Sequence, residues 1–503
     1  MKTHNHLFNQ LRIVSIGIDT YRENIIYMRS DCPICRSEGF TALTRLMVHY
    51  QANFIIATLN VVESELLKEA EAALSEMAMI QLGVTVGDQI TISHLKPIPS
   101  LSDVRAKMYH HKIEKASYFN IINDITKGFY ADIEIAAFIA ACAGDNMDLE
   151  EITWLTEAMI QSGTRLNWGN PIVLDKHSVG GLPGNRTTPI IVPIVAAAGL
   201  LIPKTSSRAI TSSAGTADML ETMTQVNLSI ERIMEVVGQE NGCFAWGGSV
   251  KLSPADDILI AIEKALDVDS SGQMIASVLS KKAAAGATHV LIDIPVGDTA
   301  KVRTKDEAMH LQSYFETVGN AIGLKVKVIL SDGSQPVGRG IGPVMEALDV
   351  LAVLRNQDHA PLDLKDKAIH LSGLLLEFSG TIDKGDGDRT ARKILENGLA
   401  YAKFLSICMA QGGFKEPQLA KHKFNVLSEK AGIVKAIENR KLAKVAKLAG
   451  APLYPSAGIH FNAPIGLKVE KGQSLFTIFA ESEGVLNYVI EYLKTADPII
   501  NIE

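Results

Sequence analysis

The sequence predicts an α/β multidomain protein. We expect a small helical domain and an α/β domain with a central mixed, mostly parallel sheet, flanked by β-rich N- and C-terminal domains. Three observations predict this. The chain of 503 residues is too long for one hydrophobic core. Apolar residues recur with a helical period between residues 102 and 168. From residue 171 onward, strand-like apolar runs alternate with helical segments, which is typical of a parallel sheet covered by helices.

Four domains are expected along the chain. Residues 1–95 alternate short apolar runs with turn residues and form a β-rich domain, which a helical pattern from Asn60 to Leu82 interrupts. Residues 102–168 form the helical domain, in which Asp148 supplies a helix start. Residues 171–412 form the α/β domain, whose last helices could pack elsewhere. Residues 420–503 form a second β-rich domain, with short apolar runs set between glycines.

Composition and charge exclude several classes of protein. The chain is 47% hydrophobic and 21% charged, as expected for an ordinary globular protein. Its formal net charge of −7 gives no general attraction to nucleic acid or to an anionic membrane. The N-terminus lacks the features of a signal peptide, and the five cysteines do not form a disulfide framework, so we expect a cytoplasmic protein. Cys32 and Cys35 have no second ligand pair nearby, so we expect ordinary loop cysteines and no metal.

A glycine-rich loop follows a predicted strand and precedes a predicted helix. Residues 175–188 read Asp-Lys-His-Ser-Val-Gly-Gly-Leu-Pro-Gly-Asn-Arg-Thr-Thr. Such a loop lets backbone N–H groups approach an anion, and the helix N-terminus adds partial positive charge. Lys176 adds a full charge, Ser178 and Thr188 offer hydroxyl donors, and His177 can donate or exchange a proton. The loop therefore predicts an anion site.

A second loop of similar character lies at residues 204–216 and also runs into a predicted helix. It reads Lys-Thr-Ser-Ser-Arg-Ala-Ile-Thr-Ser-Ser-Ala-Gly-Thr. Hydroxyl groups around Arg208 suit phosphate and ribose oxygens, although such loops also occur as plain helix caps. Two such loops after consecutive elements fit a crevice at the carboxyl ends of a parallel sheet.

Both loops resemble the signature of the thymidine and pyrimidine-nucleoside phosphorylase family. That signature reads Asp-Lys-His-Ser-x-Gly-Gly, then Ser-x-Arg, then Gly-Thr-x-Asp, and this chain contains all three parts. The runs Gly-Leu-Pro-Gly-Asn-Arg-Thr-Thr-Pro and Lys-Thr-Ser-Ser-Arg-Ala-Ile-Thr-Ser are most similar to the AMP phosphorylase branch. The resemblance covers about residues 100 to 500.

The resemblance implies roles for individual residues. It implies that phosphate binds the residues Lys176, Ser178, Ser206 and Thr216. It also implies substrate contacts from Gly181, Ser207, Arg208, Ala209, Ile210, Thr211, Ser212, Ser277, Lys281 and Lys301. Asp269 matches the aspartic proton donor of AMP phosphorylases, and His177 matches the donor proposed in the thymidine branch.

Departures from the family pattern affect the prediction of which base the substrate carries. Pyrimidine phosphorylases read the base with a tyrosine and an arginine, where this chain has Leu259 and Ile262. These apolar side chains cannot donate hydrogen bonds to a pyrimidine carbonyl, which argues against thymidine. The following residues also lack a proline of the AMP branch, so the base stays open. Nearby, Asp256 and Ser253 are interpreted as a helix cap and not as catalytic groups.

The expected reaction is phosphorolysis of the N-glycosidic bond of a nucleoside or nucleoside monophosphate, giving free base and pentose 1-phosphate. No cofactor is expected, since inorganic phosphate is the co-substrate. We expect no nucleic acid or membrane partner, and a homodimer or larger homo-oligomer. One alternative is an anthranilate-type phosphoribosyltransferase, which would need an acidic pair that binds magnesium and diphosphate. The other is a non-catalytic nucleotide-binding scaffold.

Overall fold

The structure, a computed structural model, describes residues 10–21, 23–209, 212–250, 252–266, 268 and 270–503. It divides into two compact units, Met1–Ala141 and Cys142–Glu503. The division falls inside segment 102–168, so the helices of that segment are described below with the unit to which each belongs.

A closed β-barrel forms the first part of unit one. Its strands lie in the spatial order β1-β5-β2-β4-β3-β6. They are β1 (Gln10–Val14), β2 (Ile25–Arg29), β3 (Arg45–Tyr50), β4 (Asn53–Val62), β5 (Glu71–Leu74) and β6 (Gln89–His94). The helices of this unit are α1 (Pro33–Glu38), α2 (Glu76–Leu82), α3 (Leu101–Met108), α4 (Lys115–Thr126) and α5 (Asp132–Ala141). The barrel encloses its own core of apolar side chains, which accounts for the alternating apolar runs in the sequence.

The helical pattern predicted from Asn60 to Leu82 is wrong for most of its length. Strand β4 continues to Val62, β5 follows, and only α2 is helical. The residues of β5, Glu-Ala-Ala-Leu, have good helix propensity, but β5 pairs with β1 on one side and β2 on the other. Pairing on both sides satisfies the backbone of β5 inside the closed sheet, and this tertiary context overrides local propensity.

Cys32 and Cys35 lie at the start of a short helix and not in a loop. Cys32 is the N-cap of α1, and its Sγ accepts a hydrogen bond from the backbone N–H of Cys35 at 3.2 Å. Both side chains are buried in the barrel core. Their burial indicates that the two cysteines serve to pack the barrel core.

Unit two contains the central sheet and most of the helices. Its strands are β7 (Leu174–Ser178), β8 (Ile202–Ser206), β9 (Gly242–Trp246), β10 (His289–Val296), β11 (Lys325–Asp332), β12 (Gly340–Ile341), β13 (His422–Leu427), β14 (Gly432–Ile437), β15 (Gly458–Phe461), β16 (Lys468–Val469), β17 (Ser474–Ala480) and β18 (Ile500–Ile502). Its helices are α6 (Leu149–Gln161), α7 (Thr188–Ala197), α8 (Thr216–Glu221), α9 (Ile230–Glu240), α10 (Pro254–Leu266), α11 (Ser271–Ala284), α12 (Lys305–Ala321), α13 (Pro343–Leu354), α14 (Leu362–Phe378), α15 (Gly387–Glu396), α16 (Leu399–Ala410), α17 (Asn439–Leu448) and α18 (Glu483–Thr495).

The predicted start of α6 is confirmed. Asp148 is its N-cap, and its Oδ1 accepts from the backbone N–H of Glu151 at 2.9 Å. In return, Glu151 Oε2 accepts from the backbone N–H of Asp148 at 3.2 Å. This reciprocal capping box satisfies two backbone donors at the start of the helix.

The central sheet brings the carboxyl ends of its strands to one edge. Strands β11, β10 and β7 pair in parallel, and so do β8 and β9. A parallel bridge between Val173 and Leu201 joins the two groups, and the backbone N–H of Leu174 donates to Leu201 O at 2.8 Å. Ligands of parallel α/β sheets bind beyond the carboxyl ends of the strands. The loops after β7 and β8 therefore lie on the binding edge.

Helices cover this sheet, and the chain ends in antiparallel sheets. Helix α7, which is apolar after Thr188, contacts α13, α14 and α16 in the largest hydrophobic core. Towards the C-terminus, β12-β15-β17-β13 and β16-β14-β18 form two antiparallel sheets that share a separate core with α17 and α18. The helix-covered parallel sheet and the β-rich C-terminal part agree with the predicted fold class. Within the described residues, no helix is both long and apolar enough to span a membrane.

Candidate active site

Lys176 is the central cation of the first loop. It lies in β7 and is only 2% exposed. Its Nζ donates to Thr187 Oγ1 at 2.9 Å. Burial lowers the pKa of Lys176 to about 8, and the positive charges of Lys367 and Arg186 add to the effect. Because the ammonium group is shielded from water, its electrostatic attraction to a bound anion is stronger than that of an exposed lysine.

The glycine-rich loop leads directly into the N-terminus of α7. Thr188 is the first residue of this helix, and the N-cap Thr187 makes no side-chain capping hydrogen bond. Gly184 has φ +69°, and a side chain there would collide with the carbonyl oxygen of Val337, since a Cβ would lie 2.2 Å from it. Only glycine fits this position, because the neighbouring chain packs against the loop. Pro189 has no backbone N–H, and the N–H of Ile190 donates to Thr187 O, so the backbone N–H groups of Thr187 and Thr188 are the anion donors left at the start of α7.

The absence of a side chain at Gly181 allows Lys301 to lie beside the glycine-rich loop. Gly181 has φ +99°, and an added Cβ would lie 3.1 Å from the backbone nitrogen of Lys301. The missing side chain lets the segment after β10 approach the loop after β7. The structure therefore brings together two predicted substrate contacts that are 120 residues apart in sequence.

His177 lies in a positively charged environment. Burial, together with the charges of Lys282, Lys204 and Lys281, holds the pKa of His177 well below its usual range. Two of these lysines pair with Asp175, since Lys204 Nζ and Lys282 Nζ each lie 2.8 Å from its carboxylate. The imidazole is consequently neutral at pH 7 and has no imidazolium proton to give to a leaving group.

The second loop is shaped by Asp218. Its Oδ2 accepts from the backbone N–H groups of Ala209 at 2.7 Å and Gly215 at 2.8 Å. Thr216, a predicted phosphate contact, is the first residue of α8. Ser206 Oγ is buried and has no hydrogen-bond partner among the described residues. An unpaired buried hydroxyl is costly unless a ligand or water satisfies it, so Ser206 suits a ligand contact.

Arg208 is already held by protein groups. Its guanidinium lies over the ring of Trp246, 4.7 Å from the centroid. It donates to both carboxylate oxygens of Glu221, at 2.6 and 2.8 Å. These hydrogen bonds raise the pKa of Arg208 further above its already high value. The exposed Ser207 precedes it, and Ser212 Oγ donates to the carbonyl oxygen of Ala214 at 2.9 Å. The predicted contacts Ile210 and Thr211 lie outside the described residues.

Arg186 connects the two loops. Its guanidinium donates to the carbonyl oxygen of Ala214 in the second loop and to the carboxylate of Glu346 on α13. Burial raises the pKa of Glu346 to about 7, and the charge of Arg186 opposes that rise. The arginine is part of the first-loop sequence, so this contact fixes the first and second loops relative to each other.

Helix α11 carries the predicted contacts Ser277 and Lys281. Lys281 Nζ donates to Asp256 Oδ2 at 2.7 Å and to Ser277 Oγ at 3.1 Å. Helix α10 begins at Pro254, directly after Ser253, as predicted. The predicted capping box is wrong: the carboxylate of Asp256 binds Lys281, and Ser253 Oγ has no hydrogen-bond partner within the described chain. Asp256 is buried, and a buried carboxylate needs a charged partner more than a helix end needs a cap. The predicted proton donor Asp269 lies outside the described residues.

Several residues at the site were missed by reasoning from the sequence. Asp293 and Glu346 are almost fully buried. Each lies in a mostly apolar element, β10 and α13 respectively. A charge in a buried run signals a paired or functional group, and that signal was present in the sequence. Trp246, in contrast, could be assigned only from the structure, because its contact with Arg208 joins neighbouring strand ends.

Among the described residues, no group of three or more histidine, cysteine, aspartate or glutamate side chains is placed to hold a metal ion.

Three family models match consecutive parts of the chain. The "Glycosyl transferase family, helical bundle domain" matches residues 104–163. The "Glycosyl transferase family, a/b domain" matches residues 170–401. The "Pyrimidine nucleoside phosphorylase C-terminal domain" matches residues 433–499.

Full-length relatives are similar throughout. "Putative thymidine phosphorylase 2" of Acidovorax sp. (strain JS42) is 52% identical over 98% of this chain and 96% of its own. "Putative thymidine phosphorylase" of Legionella pneumophila (strain Paris) is 54% identical over 97% of this chain and 95% of its own. Among solved structures, anthranilate phosphoribosyltransferase from Thermus thermophilus matches with a TM-score of 0.52 and 18% identity, over 61% of this chain and 98% of its own. At that identity the likeness concerns the fold alone.

Proposed function

Because this chain belongs to the thymidine and pyrimidine-nucleoside phosphorylase family, we propose that it cleaves the N-glycosidic bond of a nucleoside or nucleoside monophosphate with inorganic phosphate. The products are the free base and pentose 1-phosphate. The enzyme is a pentosyltransferase.

The observation that carries this proposal is the meeting of two anion-binding loops at one edge of the sheet. The first supplies Lys176 and the uncapped start of α7. The second supplies the unpaired hydroxyl of Ser206, and Arg186 ties the two loops together. A buried, positively charged site with several hydrogen-bond donors suits inorganic phosphate.

The proposed mechanism uses this fixed phosphate as the nucleophile. Cleavage of an N-glycosidic bond develops positive charge on the sugar, and a phosphate held beside the anomeric carbon both stabilises that charge and attacks it. Lys176, Ser178, Ser206, Thr188 and Thr216 are the proposed phosphate contacts. Positioning by these groups replaces a bimolecular encounter with a reaction inside one complex.

The leaving base must gain a proton or an equivalent hydrogen bond. We assign this role to Asp269, because the neutral imidazole of His177 is a poor acid at pH 7. His177 contributes instead as a neutral hydrogen-bond donor or acceptor to the substrate. Lys281, Ser277, Lys301 and the Arg208 segment are the proposed contacts to sugar and base.

We propose that the enzyme does not recognise a pyrimidine base. Leu259 is 4% exposed in α10, and Ile262 is partly buried on the same helix. Neither side chain can hydrogen-bond a pyrimidine carbonyl. The sequence of both loops is similar to AMP phosphorylases, so a nucleoside monophosphate such as AMP is the proposed substrate.

We further propose a cytoplasmic enzyme that needs no metal or other cofactor and forms at least a homodimer, with residues 1 to about 95 as an added contact. Light scattering of the purified chain tests the assembly, and a monomer at micromolar concentration would contradict it.

The competing transferase reaction would use a magnesium-bound diphosphate ester of ribose. Asp256, the acidic residue closest to such a role, pairs through Oδ2 with Lys281, and this ammonium group opposes the binding of a second cation beside the carboxylate. A direct test compares base release in phosphate buffer with EDTA against base consumption with magnesium and phosphoribosyl diphosphate. Activity only in the second mixture would overturn the proposed function, and activity in neither would favour a non-catalytic scaffold.

A further inference from the structure

A carboxylate behind the first loop determines which way one of its hydroxyl groups points. Asp293 is 0% exposed on β10 and lies opposite Ser178 of β7 in the parallel register. Its Oδ2 accepts from Ser178 Oγ at 2.8 Å and lies 3.0 Å from Lys367 Nζ. Its Oδ1 accepts from Ser331 Oγ at 2.5 Å. Side chains from the two neighbouring strands and from one helix therefore converge on this carboxylate.

Asp293 is ionised in this environment. Burial favours the neutral acid, but the charges of Lys176 and Lys367 outweigh burial and hold the pKa of Asp293 below its usual range. An ionised carboxylate can only accept hydrogen bonds. The one proton of the Ser178 hydroxyl must therefore point at Asp293.

The remaining bonding capacity of Ser178 is that of an acceptor. A hydroxyl has one proton and two lone pairs. Asn185 Nδ2 donates to Ser178 Oγ at 3.2 Å and occupies one lone pair. No other hydrogen bond to Ser178 is found within the described residues, so the second lone pair is available. Asn185 Oδ1 is likewise buried without a hydrogen-bond partner in that part of the chain, which gives a second unused acceptor nearby.

We propose that Asp293 makes the phosphate site selective for protonated oxyanions. Ser178 Oγ accepts a hydrogen bond from the P–OH group of hydrogen phosphate, while Lys176 and the backbone N–H groups of Thr187 and Thr188 bind the anionic oxygens. This inference rests on the proposed phosphate site and adds what that site discriminates. Arsenate keeps a proton near neutral pH and satisfies Ser178. Sulfate has a similar size and charge but no proton, so it leaves a buried acceptor unpaired.

Calorimetric titration of the full-length protein with arsenate and with sulfate tests this selectivity. We expect arsenate to bind at least about tenfold more tightly than sulfate, the effect of one buried hydrogen bond to a charged ligand. Ser178→Ala should weaken arsenate binding and leave sulfate nearly unchanged, so that the ratio falls towards one. Asp293→Asn should also lower the ratio, because Ser178 is then free to donate. Ser331→Ala, which removes the bond to the other oxygen of Asp293, is the matched control and should keep the ratio.

Equal affinities for arsenate and sulfate in the unmodified protein would overturn the inference, as would an unchanged ratio in Ser178→Ala or no binding of either anion. If Asp293→Asn fails to fold, the ratio of arsenate to sulfate affinity in Ser178→Ala still tests the inference. Phosphate-dependent base release, measured on the same samples, separates the two proposals. Turnover without anion selectivity contradicts only this inference, whereas selectivity without turnover contradicts only the proposed reaction.

Discussion

Lys281 Nζ lies 2.7 Å from Asp256 Oδ2, and this ion pair connects helices α10 and α11 beside the proposed substrate site. The carboxylate is buried, and the ammonium group is partly exposed. Asp256 thereby fixes a lysine that otherwise has a long, flexible side chain. The pair links a residue expected from the family resemblance to one interpreted from the sequence as a helix cap.

This pair gives the first prediction. Asp256→Asn should raise KM for the nucleoside substrate by roughly tenfold, since it loosens Lys281 through one charge-assisted hydrogen bond. KM for phosphate should stay nearly constant, because Lys176 is untouched. Asp257→Asn changes the neighbouring, exposed carboxylate and is the matched control. Initial rates at varied nucleoside and varied phosphate give both constants, and an equal rise in both would indicate a purely structural effect.

The second prediction concerns pH. The pKa of Lys176 is lowered to about 8. The lysine loses its positive charge as pH rises through that value, so attraction for the phosphate dianion falls. We expect kcat/KM for phosphate to decrease above about pH 8, since this ratio reports groups of the free enzyme.

Lys176→Arg provides the control for this pH dependence. Arginine stays charged throughout the range, so the alkaline decrease should disappear even if overall activity is lower. Lys176→Ala should weaken phosphate binding at every pH. An alkaline decrease that persists in Lys176→Arg would assign the titration to another group.

The third prediction concerns Asp269, which is proposed from the family resemblance alone. Asp269→Asn should lower turnover by roughly two to four orders of magnitude, the usual effect of losing a general acid, with little change in phosphate affinity. Asp267→Asn changes a nearby carboxylate of the same segment and should have a small effect. A normal kcat in Asp269→Asn would transfer the role of proton donor to another residue.

The fourth prediction concerns the base. If apolar Leu259 and Ile262 explain weak recognition of pyrimidines, the double variant Leu259→Tyr, Ile262→Arg should raise the efficiency for uridine and thymidine relative to AMP. Because Leu259 is buried, the larger ring will disturb packing, and the melting temperature must be followed alongside. Ile262→Arg alone serves as the less disruptive variant. An unmodified enzyme that strongly prefers thymidine would contradict the base-reading argument.

Sequence patterns predicted the architecture where local and tertiary preferences agree. The capping box of α6 depends only on Asp148 and Glu151, which are close in sequence. The alternation of strands and helices favours a parallel sheet. Strand β5 was missed because its helix-prone residues are held by two neighbouring strands. Contacts between distant parts of the chain also limited the prediction of the site. Motifs identified Lys176, but the contacts of Asp293 and Glu346 join elements distant in sequence and became visible only in the folded chain.

The most direct test of the proposed reaction is a stoichiometric product assay. The purified enzyme is incubated with AMP, adenosine, uridine or thymidine, with and without inorganic phosphate, in the presence of EDTA. We expect base release that requires phosphate, with one pentose 1-phosphate formed per base, detected by phosphorus NMR. Base release that proceeds equally without phosphate, or that yields free sugar, would contradict phosphorolysis.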